Sequence, residues 1–308
     1  MYAIEQHRFG GPEVLTLVDV DRPEPGPAEV LVRVHAAGVN PTDFWHRATG
    51  GLAGRPVRLG WDLSGVVEAA GVGAALFRPG DEVFGVPRHP QPAGTYAEYV
   101  TVPSRHLVRK PAGLSHVQAA GLGLAGLTAW QALVDVAAVS AGQRVLIHGA
   151  AGGVGHLAVQ IAKARGAYVI GTARAAKHAF IRSLGVDEPV DYRTTDFADH
   201  LHDLDVVLDP IGGEYGPRSL RTLRPGGILV ALASPAEAYL EEVGAQQAKR
   251  ARFMIVEADA AGMTSLATLA DTGRLRVEVA SVLPLKDAAE AHRLGEQGHL
   301  TGKIVLTP

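Results

Sequence analysis

The sequence predicts an α/β protein in which a β-rich domain is followed by a doubly wound parallel sheet. Three observations support this prediction: the length of the chain, a change of residue pattern near Gly113, and a strand–turn–helix segment near the middle. The chain has 308 residues, which exceeds the usual size of one hydrophobic core and favours two domains. Its 47% hydrophobic and 20% charged residues are ordinary for a globular protein.

Residues 1–110 have the pattern of a β-rich domain. Short stretches of alternating apolar and polar residues are separated by turn-forming clusters such as PEPGP at 23–27 and RPGD at 78–81. The predicted strands lie at 29–35, 65–68 and 96–102. Many short strands with tight turns between them are typical of a β-rich unit.

From about Gly113 the pattern changes to an alternation of strands and helices. The predicted strands lie at 145–148, 168–172, 189–192, 205–209, 227–232 and 253–257. Helical stretches lie between most of them, and this βαβ alternation predicts a parallel, doubly wound sheet of the Rossmann type. A ligand of such a sheet lies beyond the carboxyl ends of the strands, so the loops there face one crevice. Those loops are at 149–155, 172–177, 209–213 and 231–234.

The segment Arg144–Gly155, RVLIHGAAGGVG, carries the clearest functional signal. An apolar strand leads into a glycine-rich turn, and the turn opens a helix with apolar residues at helical spacing. Unpaired backbone N–H groups at the start of such a helix bind phosphate. We therefore expect Ala151, Gly152, Gly153 and Val154 to hold the pyrophosphate of a dinucleotide. The alternative is a glycine turn that only lets the strand and the helix pack closely.

The tip of the second strand of this sheet indicates which dinucleotide is bound. NAD sites usually carry Asp or Glu about 20 residues past the glycines, whereas this chain has Gly171, Thr172, Ala173 and Arg174 there. No carboxylate repels a 2′-phosphate, and the cations of Arg174 and Lys177 suit one. The sequence therefore favours NADPH. The alternative is that Arg174 and Lys177 are only solvated surface charges.

Composition argues against several other classes of function. The formal net charge of −3 gives no electrostatic reason to bind nucleic acid or an anionic membrane surface. No apolar run approaches the roughly 18 residues that span a bilayer, and the first residues lack the apolar core of a signal peptide, so a cytoplasmic enzyme is expected. The chain has no cysteine, which excludes disulfides, thiol nucleophiles and cysteine zinc ligands. The absence of a nucleophile-elbow spacing leaves hydrolase chemistry without support.

Several longer motifs occur in a specific order and spacing. In the N-terminal part they are AAGVNPTDFWHR at 36–47, GWDLSGVVEAAGVG at 60–73, PGDEVFG at 79–85 and GTYAEYV at 94–100. Further on they are AGLGLAGLTAWQAL at 120–133, HGAAGGVG at 148–155 and GKIVL at 302–306. Together these motifs resemble the medium-chain dehydrogenase/reductases, specifically their zinc-free quinone oxidoreductase branch. The resemblance implies a GroES-like substrate domain over 1–115, completed by 263–308, and a Rossmann dinucleotide-binding domain over 116–262.

The resemblance also implies that no metal is bound. Zinc-dependent relatives carry a cysteine at the position of Asn40 and a His–Glu pair at Trp61 and Asp62, and neither Asn nor Trp is a plausible zinc ligand. Ala150 stands at the first position of the glycine fingerprint, where alanine is common in this branch. Trp61 is equally consistent with a core position and with a pocket wall.

Further implications of the resemblance concern the cofactor. Thr128 is similar to the threonine that contacts the nicotinamide side, and Tyr192 is similar to the tyrosine that packs by the adenosine ribose and its phosphate. With the loops described above, the expected cofactor-binding residues are Thr128, Ala151, Gly152, Gly153, Val154, Thr172, Arg174, Lys177, Tyr192, Ile211, Leu232, Ala233 and Lys303.

Asn40, Thr42, Asp43 and Trp45 are the catalytic candidates. Hydride transfer to a quinone or an α,β-unsaturated carbonyl places negative charge on the acceptor oxygen, which an amide, a hydroxyl or an indole N–H stabilises. The second proton comes from solvent, and by similarity Asn40 lines the pocket near the nicotinamide. Trp45 stands where the branch often has tyrosine. The alternative is that Asn40 and Asp43 only cap backbone groups of the turn, and that Asp43 pairs with Arg47 for structure alone.

Three functions follow from these observations. The first is an NADPH-dependent, metal-independent oxidoreductase that reduces quinones or activated alkenes. The second is an enoyl-thioester reductase, which requires a basic entry patch that is not obvious in the sequence. The third is an NADPH-binding sensor or structural protein with vestigial activity. We expect a homodimer in which the strand at 253–257 pairs edge to edge with its copy.

Overall fold

The computed structural model describes residues 1–55 and 57–308. The chain forms two compact units. The first consists of Met1–Leu127 and Val256–Pro308, and the second consists of Thr128–Ile255. Each unit contains a sheet of its own.

The chain crosses between the units at positions that differ from the predicted 115/116 and 262/263 boundaries. The first crossing comes later because it lies inside a long helix that begins at His116. The pattern of the sequence therefore changes before the chain leaves the first unit. The second crossing comes earlier, at Val256, before the helix that starts at Ala260.

The described residues form strands and helices that are numbered here in chain order. The strands are β1 (Tyr2–Glu5), β2 (Thr16–Asp19), β3 (Glu29–Val39), β4 (Leu63–Ala70), β5 (Glu82–Gly85), β6 (Tyr99–Pro103), β7 (Leu107–Arg109), β8 (Arg144–Ile147), β9 (Tyr168–Thr172), β10 (Glu188–Val190), β11 (Leu204–Asp209), β12 (Leu223–Ala231), β13 (Arg250–Phe253), β14 (Val279–Pro284) and β15 (Lys303–Thr307). The helices are α1 (Pro41–Thr49), α2 (His116–Trp130), α3 (Gly155–Ala164), α4 (His178–Ser183), α5 (Phe197–His200), α6 (Tyr215–Thr222), α7 (Leu240–Gln246), α8 (Ala260–Asp271) and α9 (Ala288–Glu296).

The first unit is built on a mostly antiparallel sheet. Its strand order is β14–β15–β3–β4–β5–β7, β6 also pairs with β3, and β1 and β2 form a separate pair. The C-terminal strand β15 runs antiparallel to β3, with Ile304 opposite Val39. Because β3 ends at Val39 and α1 begins at Pro41, this pairing brings the C-terminal strand to the turn that carries Asn40.

The second unit confirms the predicted doubly wound sheet. Its six strands are parallel and follow the order β10–β9–β8–β11–β12–β13, with helices in the connections. This is the strand order of a Rossmann sheet, in which the direction of winding reverses between β8 and β11. Leu146, Ile170, Val207 and Leu229, one from each of four neighbouring strands, lie fully buried in one core cluster.

The last strand of this sheet differs from its prediction. The sequence pattern placed it at 253–257, but β13 pairs with β12 only from Arg250 to Phe253. Met254 N–H still donates to the Ala231 carbonyl at 3.2 Å, after which the chain passes into the first unit. The apolar residues beyond Phe253 therefore continue the strand pattern in the sequence without continuing the sheet.

One helix corrects the expectation that no apolar stretch is long enough to span a bilayer. The helix α2 continues as a π-helical segment over Gln131–Val136, and together they form a stretch of 21 residues that is long and apolar enough to cross a bilayer. In the structure 67% of its most apolar window is buried inside the protein. The core helix of a globular protein meets the same test of length and composition.

Candidate active site

The glycine-rich turn joins β8 to α3 in the second unit. Ala150 N–H donates to the Thr172 carbonyl at 3.0 Å, and Gly149 N–H donates to the Thr172 hydroxyl oxygen at 3.1 Å. Gly152 N–H donates to the Gly149 carbonyl at 2.8 Å. The turn is therefore tied to the end of β9, and α3 begins directly after it at Gly155.

Close contacts explain why glycine stands at two positions near this turn. A Cβ on Gly155 would lie 2.1 Å from the Gly149 carbonyl oxygen, which is too close for any side chain. A Cβ on Gly171 would lie 2.9 Å from the Cβ of Ala150, so Gly171 leaves room for alanine at the first fingerprint position. A Cβ on Gly152 would meet only the Gly149 carbonyl, at 3.2 Å.

The four predicted pyrophosphate contacts differ in their exposure. Ala151 is buried, whereas Gly152, Gly153 and Val154 are each half-buried. Part of the surface of each of the last three residues therefore faces solvent, while the N–H of Gly152 is bonded to the Gly149 carbonyl. The strand–turn–helix geometry fits a dinucleotide, as the sequence predicts.

Thr172 supports the turn from beneath. Its buried hydroxyl lies 3.3 Å from Nδ1 of His148, whose Nε2 lies 3.0 Å from the Ser219 hydroxyl. The ring of His148 packs edge-on against Phe197 and Tyr215. Burial lowers the pKa of His148 to about 3, so the imidazole is neutral at neutral pH. Thr172, expected to contact the cofactor, is thus part of a buried hydroxyl–imidazole–hydroxyl chain that the sequence did not reveal.

Residues after β9 and β10 come together as the sequence predicts. Arg174 Nε donates to the Tyr192 hydroxyl at 3.0 Å. Burial and the charge of Arg174 lower the pKa of Lys177. Asp191, which sequence reasoning missed, accepts a hydrogen bond from Ala175 N–H at 3.1 Å. The Asp191 carboxylate therefore binds a backbone N–H group, while the side chains of Arg174, Lys177 and Tyr192 form one group.

Two carboxylates shape the loop after β11. Asp209 Oδ1 accepts hydrogen bonds from Ile211 N–H at 2.8 Å and Gly212 N–H at 3.1 Å, and Glu237 Oε1 accepts one from Gly213 N–H at 2.8 Å. A Cβ on Gly212 would lie 2.2 Å from Glu237 Oε1. Burial raises the pKa of Asp209. The sequence analysis singled out neither carboxylate, because the amino-acid sequence does not show which loop an acidic side chain will contact in the folded protein.

The other expected cofactor contacts occupy separate places in the fold. Ile211 is 49% exposed in the loop after β11, and Leu232 and Ala233 follow β12 with half-buried and exposed side chains. Thr128 is half-buried in α2. Lys303 lies in the first unit, where its ammonium is engaged by the residues described below. The contacts of all five with a cofactor stay predictions.

The catalytic candidates lie at the start of α1 in the first unit. Asn40 is the N-cap residue, and Asp43 Oδ2 accepts a hydrogen bond from Asn40 N–H at 2.8 Å. Asp43 Oδ1 accepts from Gly60 N–H at 2.9 Å, and the Tyr96 hydroxyl donates to the same carboxylate. Asp43 is fully buried, and this burial raises its pKa to about 7. The structure therefore favours the capping interpretation of Asp43 over a catalytic one.

Arg47 does not pair with Asp43, so that part of the alternative interpretation is wrong. Its guanidinium donates to the Glu296 carboxylate and, at 3.0 Å, to Nδ1 of His292. A guanidinium can only donate, so Nδ1 accepts and Nε2 of the neutral ring carries the proton that faces the Tyr96 hydroxyl at 3.4 Å. Burial lowers the pKa of His292 to about 3 and raises that of Tyr96. Hydrogen bonds therefore run in one direction, from Arg47 through His292 and Tyr96 to Asp43.

Asn40 lies between two buried charges. Lys303 Nζ donates to Asn40 Oδ1 at 2.5 Å and to the Val39 carbonyl at 2.9 Å. Asn40 Nδ2 donates to Asp62 Oδ1 at 3.3 Å, and Leu124 N–H donates to Asp62 Oδ2 at 2.9 Å. Burial raises the pKa of Asp62 and lowers that of Lys303, and the charge of each residue opposes the shift of the other. Both side chains are buried beside the Asn40 amide, and their opposite charges attract each other.

The remaining candidates differ in exposure. The Thr42 hydroxyl is half-buried and lies 3.2 Å from Nδ1 of His46. Trp45 is 39% exposed, and its ring packs edge-on against His46. Trp61 is fully buried, and its Nε1–H donates to the Gln91 carbonyl at 3.0 Å. Trp61 is therefore a core residue, and Trp45 remains available as a pocket wall.

Comparison with known families identifies both parts of the chain. The profile described as the alcohol dehydrogenase GroES-like domain matches residues 26–112, and the profile described as zinc-binding dehydrogenase matches residues 184–306. Human quinone oxidoreductase is 32% identical over 329 residues, an alignment that covers 99% of this chain and 97% of that protein.

Solved structures agree with this assignment. The quinone oxidoreductase from Coxiella burnetii is 37% identical with a TM-score of 0.95, covering 100% of this chain and 99% of that one. The Escherichia coli quinone oxidoreductase complexed with NADPH is 28% identical with a TM-score of 0.88, and both chains are covered completely. These similarities confirm the resemblance found in the sequence and the GroES-like and Rossmann-like folds.

The residues at the expected zinc positions do not fit zinc. Asn40 Oδ1 accepts a hydrogen bond from Lys303, the Asp62 carboxylate accepts hydrogen bonds from Leu124 N–H and the Asn40 amide, and Trp61 has no metal-binding atom. Among residues 1–55 and 57–308, no group of three His, Asp or Glu side chains is placed to hold a metal ion. A lysine ammonium thus lies beside the atoms that a cation would need as ligands.

Gly155→Ala tests the structure of the turn. The added Cβ meets the Gly149 carbonyl at 2.1 Å, so we expect a loss of about 1–3 kcal/mol in the free energy of unfolding and weaker binding of a nicotinamide dinucleotide. Gly113→Ala is the matched control, because a Cβ there has no atom within 4 Å. Denaturant unfolding and NADPH fluorescence titration measure both effects. If the two variants had equal stability and equal affinity, the prediction would be wrong, because the turn would then accept a Cβ at position 155 without losing free energy of unfolding.

Proposed function

Because the chain belongs to the quinone oxidoreductase branch of the zinc-free medium-chain dehydrogenase/reductases, we propose that it is an NADPH-dependent oxidoreductase that reduces quinones or α,β-unsaturated carbonyls without a metal ion. The observation that carries this proposal is the phosphate-binding turn of the second unit together with the Arg174, Lys177 and Tyr192 group. When bound, NADPH supplies a hydride from its nicotinamide ring.

The preference for NADPH rests on charge. Arg174 and Lys177 lie close together after β9, and the Tyr192 hydroxyl accepts a hydrogen bond from Arg174. A guanidinium and an ammonium suit a 2′-phosphate, which carries negative charge and strong acceptor oxygens. Asp191 lies nearby but directs its carboxylate to backbone N–H groups. The group therefore offers donors to a phosphate.

The acceptor is recognised by groups of the first unit. A quinone or an enone develops negative charge on its oxygen, and hydrogen-bond donors stabilise that charge. The Thr42 hydroxyl and the Trp45 indole N–H are the donors at the start of α1, since the buried Asn40 amide directs both of its N–H groups at Asp62 and Gly38. Trp45 also exposes a flat apolar ring. The buried Asp43 holds the helix that carries both donors. The second proton is taken from solvent.

A panel of acceptors tests the proposed reaction. Purified protein should consume NADPH when it is given a quinone or an enone, and a metal chelator should leave the rate unchanged because no ion takes part. Turnover is followed as the loss of NADPH absorbance, with an enoyl thioester as a separate arm. Preference for the thioester would favour an enoyl reductase, and tight NADPH binding without any turnover would favour a sensor or structural protein.

Arg174→Ala tests the cofactor assignment. Loss of a charge-assisted hydrogen bond to the 2′-phosphate should raise the KM for NADPH by about 10- to 100-fold and leave the KM for NADH unchanged. Arg182→Ala is the matched control, since Arg182 is an exposed residue of α4. If Arg174→Ala changes both KM values equally, or neither, Arg174 does not read the phosphate.

We also propose that two copies associate as a homodimer through β13. Within the described residues, β13 is one of the two edge strands of the six-stranded sheet and pairs with β12 alone. The unpaired N–H and C=O groups of an edge strand are a ready template for a second strand. Sedimentation should therefore give twice the mass of one chain, and a monomeric mass over a wide range of concentration would exclude this arrangement.

A further inference from the structure

Lys303 is the buried cation closest to the catalytic candidates. It is 3% exposed and begins β15, whose next residue, Ile304, is opposite Val39 at the end of β3. The strand pairing therefore places Lys303 beside Asn40, the residue that opens α1. Its ammonium donates to Asn40 Oδ1 at 2.5 Å and to the Val39 carbonyl at 2.9 Å.

An ammonium group fixes which end of the amide faces it. Lysine has three donors and no acceptor, so it can bind only the oxygen end of the Asn40 side chain. The nitrogen end of that side chain must then face the opposite way, toward Asp62 Oδ1 at 3.3 Å and the Gly38 carbonyl at 3.4 Å. Both distances exceed the ordinary 2.9–3.0 Å of an N–H···O bond. Asn40 is 3% exposed, and these two contacts use both N–H groups of its amide, so the whole side chain is held in place.

The position of Asp62 is fixed independently. Its Oδ2 accepts from Leu124 N–H at 2.9 Å. A Cβ on Gly38 would lie 2.6 Å from Asp62 Oδ1, and a Cβ on Gly123 would lie 2.6 Å from the Cβ of Asp62. Glycine at both positions therefore gives the carboxylate its space. Asp62 in turn attracts the ammonium of Lys303, which keeps the cation beside Asn40.

We propose that Lys303 is a positioning residue that orients the Asn40 amide and thereby holds the start of α1, so that the Thr42 hydroxyl is placed to donate a hydrogen bond to the oxygen of the hydride acceptor. This inference rests on the proposed function. Lys303 then acts through Asn40 on the acceptor and not on the cofactor, to which the sequence resemblance had assigned it. Arginine at this position would keep the charge but would change the geometry of the donor.

A double-mutant cycle tests this proposal in the Asp62→Asn background. That background matters because Lys303→Met alone leaves the buried Asp62 carboxylate without a compensating positive charge and threatens the fold. Adding Lys303→Met to Asp62→Asn should lower kcat for an enone or quinone by about 10-fold or more, as expected when an oxyanion donor is misplaced. The Kd for NADPH should stay within about twofold. Lys286→Met, an exposed lysine of the same unit, is the matched control and should change neither value.

The cycle is completed in a chain that lacks the Asn40 amide. If Lys303 acts through Asn40, Lys303→Met should have no further effect on kcat once Asn40→Ala is present, because the two effects are not additive. If Lys303 instead contacts the cofactor, Lys303→Met should weaken NADPH binding, and it should lower kcat further even when Asn40→Ala is present. Weaker NADPH binding, or a further loss of kcat beside Asn40→Ala, would overturn the proposal.

A measurement without turnover separates this proposal from the proposed function. The side-chain NH2 resonance of Asn40 is identified in an amide NMR spectrum by its loss in Asn40→Ala. It should shift between Asp62→Asn and Asp62→Asn with Lys303→Met, because the amide loses its orienting cation. An unmoved resonance would overturn the positioning role even if the wild type reduced no acceptor, whereas inactivity of the wild type alone would contradict only the proposed function.

Discussion

Asp43, in the first turn of α1, and Asp62, directly before β4, are fully buried. A buried carboxylate that lacks a hydrogen-bonding or charged partner destabilises the folded protein by several kcal/mol. Asp43 is stabilised by three donors, from Asn40, Gly60 and Tyr96. Asp62 is stabilised by Leu124 N–H and by the Lys303 ammonium. Since Lys303 belongs to β15, the first unit is complete only after the last strand of the chain has paired with β3.

The same requirement explains how a site without zinc ligands keeps its shape. In this chain an amide, an ammonium and a carboxylate occupy the place where a metal and its ligands would hold one another. Removing any one of these groups takes a hydrogen-bond partner or a compensating charge from a buried neighbour. The charged network thus orders the start of α1, which carries Thr42 and Trp45.

In the second unit, the buried polar groups beneath the glycine-rich turn are neutral. His148 lies beneath the glycine turn as an uncharged imidazole between the hydroxyls of Thr172 and Ser219. A neutral support adds no charge of its own to the glycine-rich turn. Positive charge is concentrated instead at Arg174 and Lys177, after β9.

Local patterns in the sequence determined the strand–turn–helix at Arg144–Gly155, the parallel sheet and the family, because spacing of apolar residues and glycines reports backbone conformation directly. Only the tertiary structure decided that Asp43 caps α1, that Arg47 pairs with Glu296, and that Lys303 holds Asn40. These contacts join residues from separate elements. The residues that neighbour a polar side chain in the sequence do not indicate which distant residue will be its hydrogen-bond partner. Burial, which makes such a partner necessary, arises only when the elements pack.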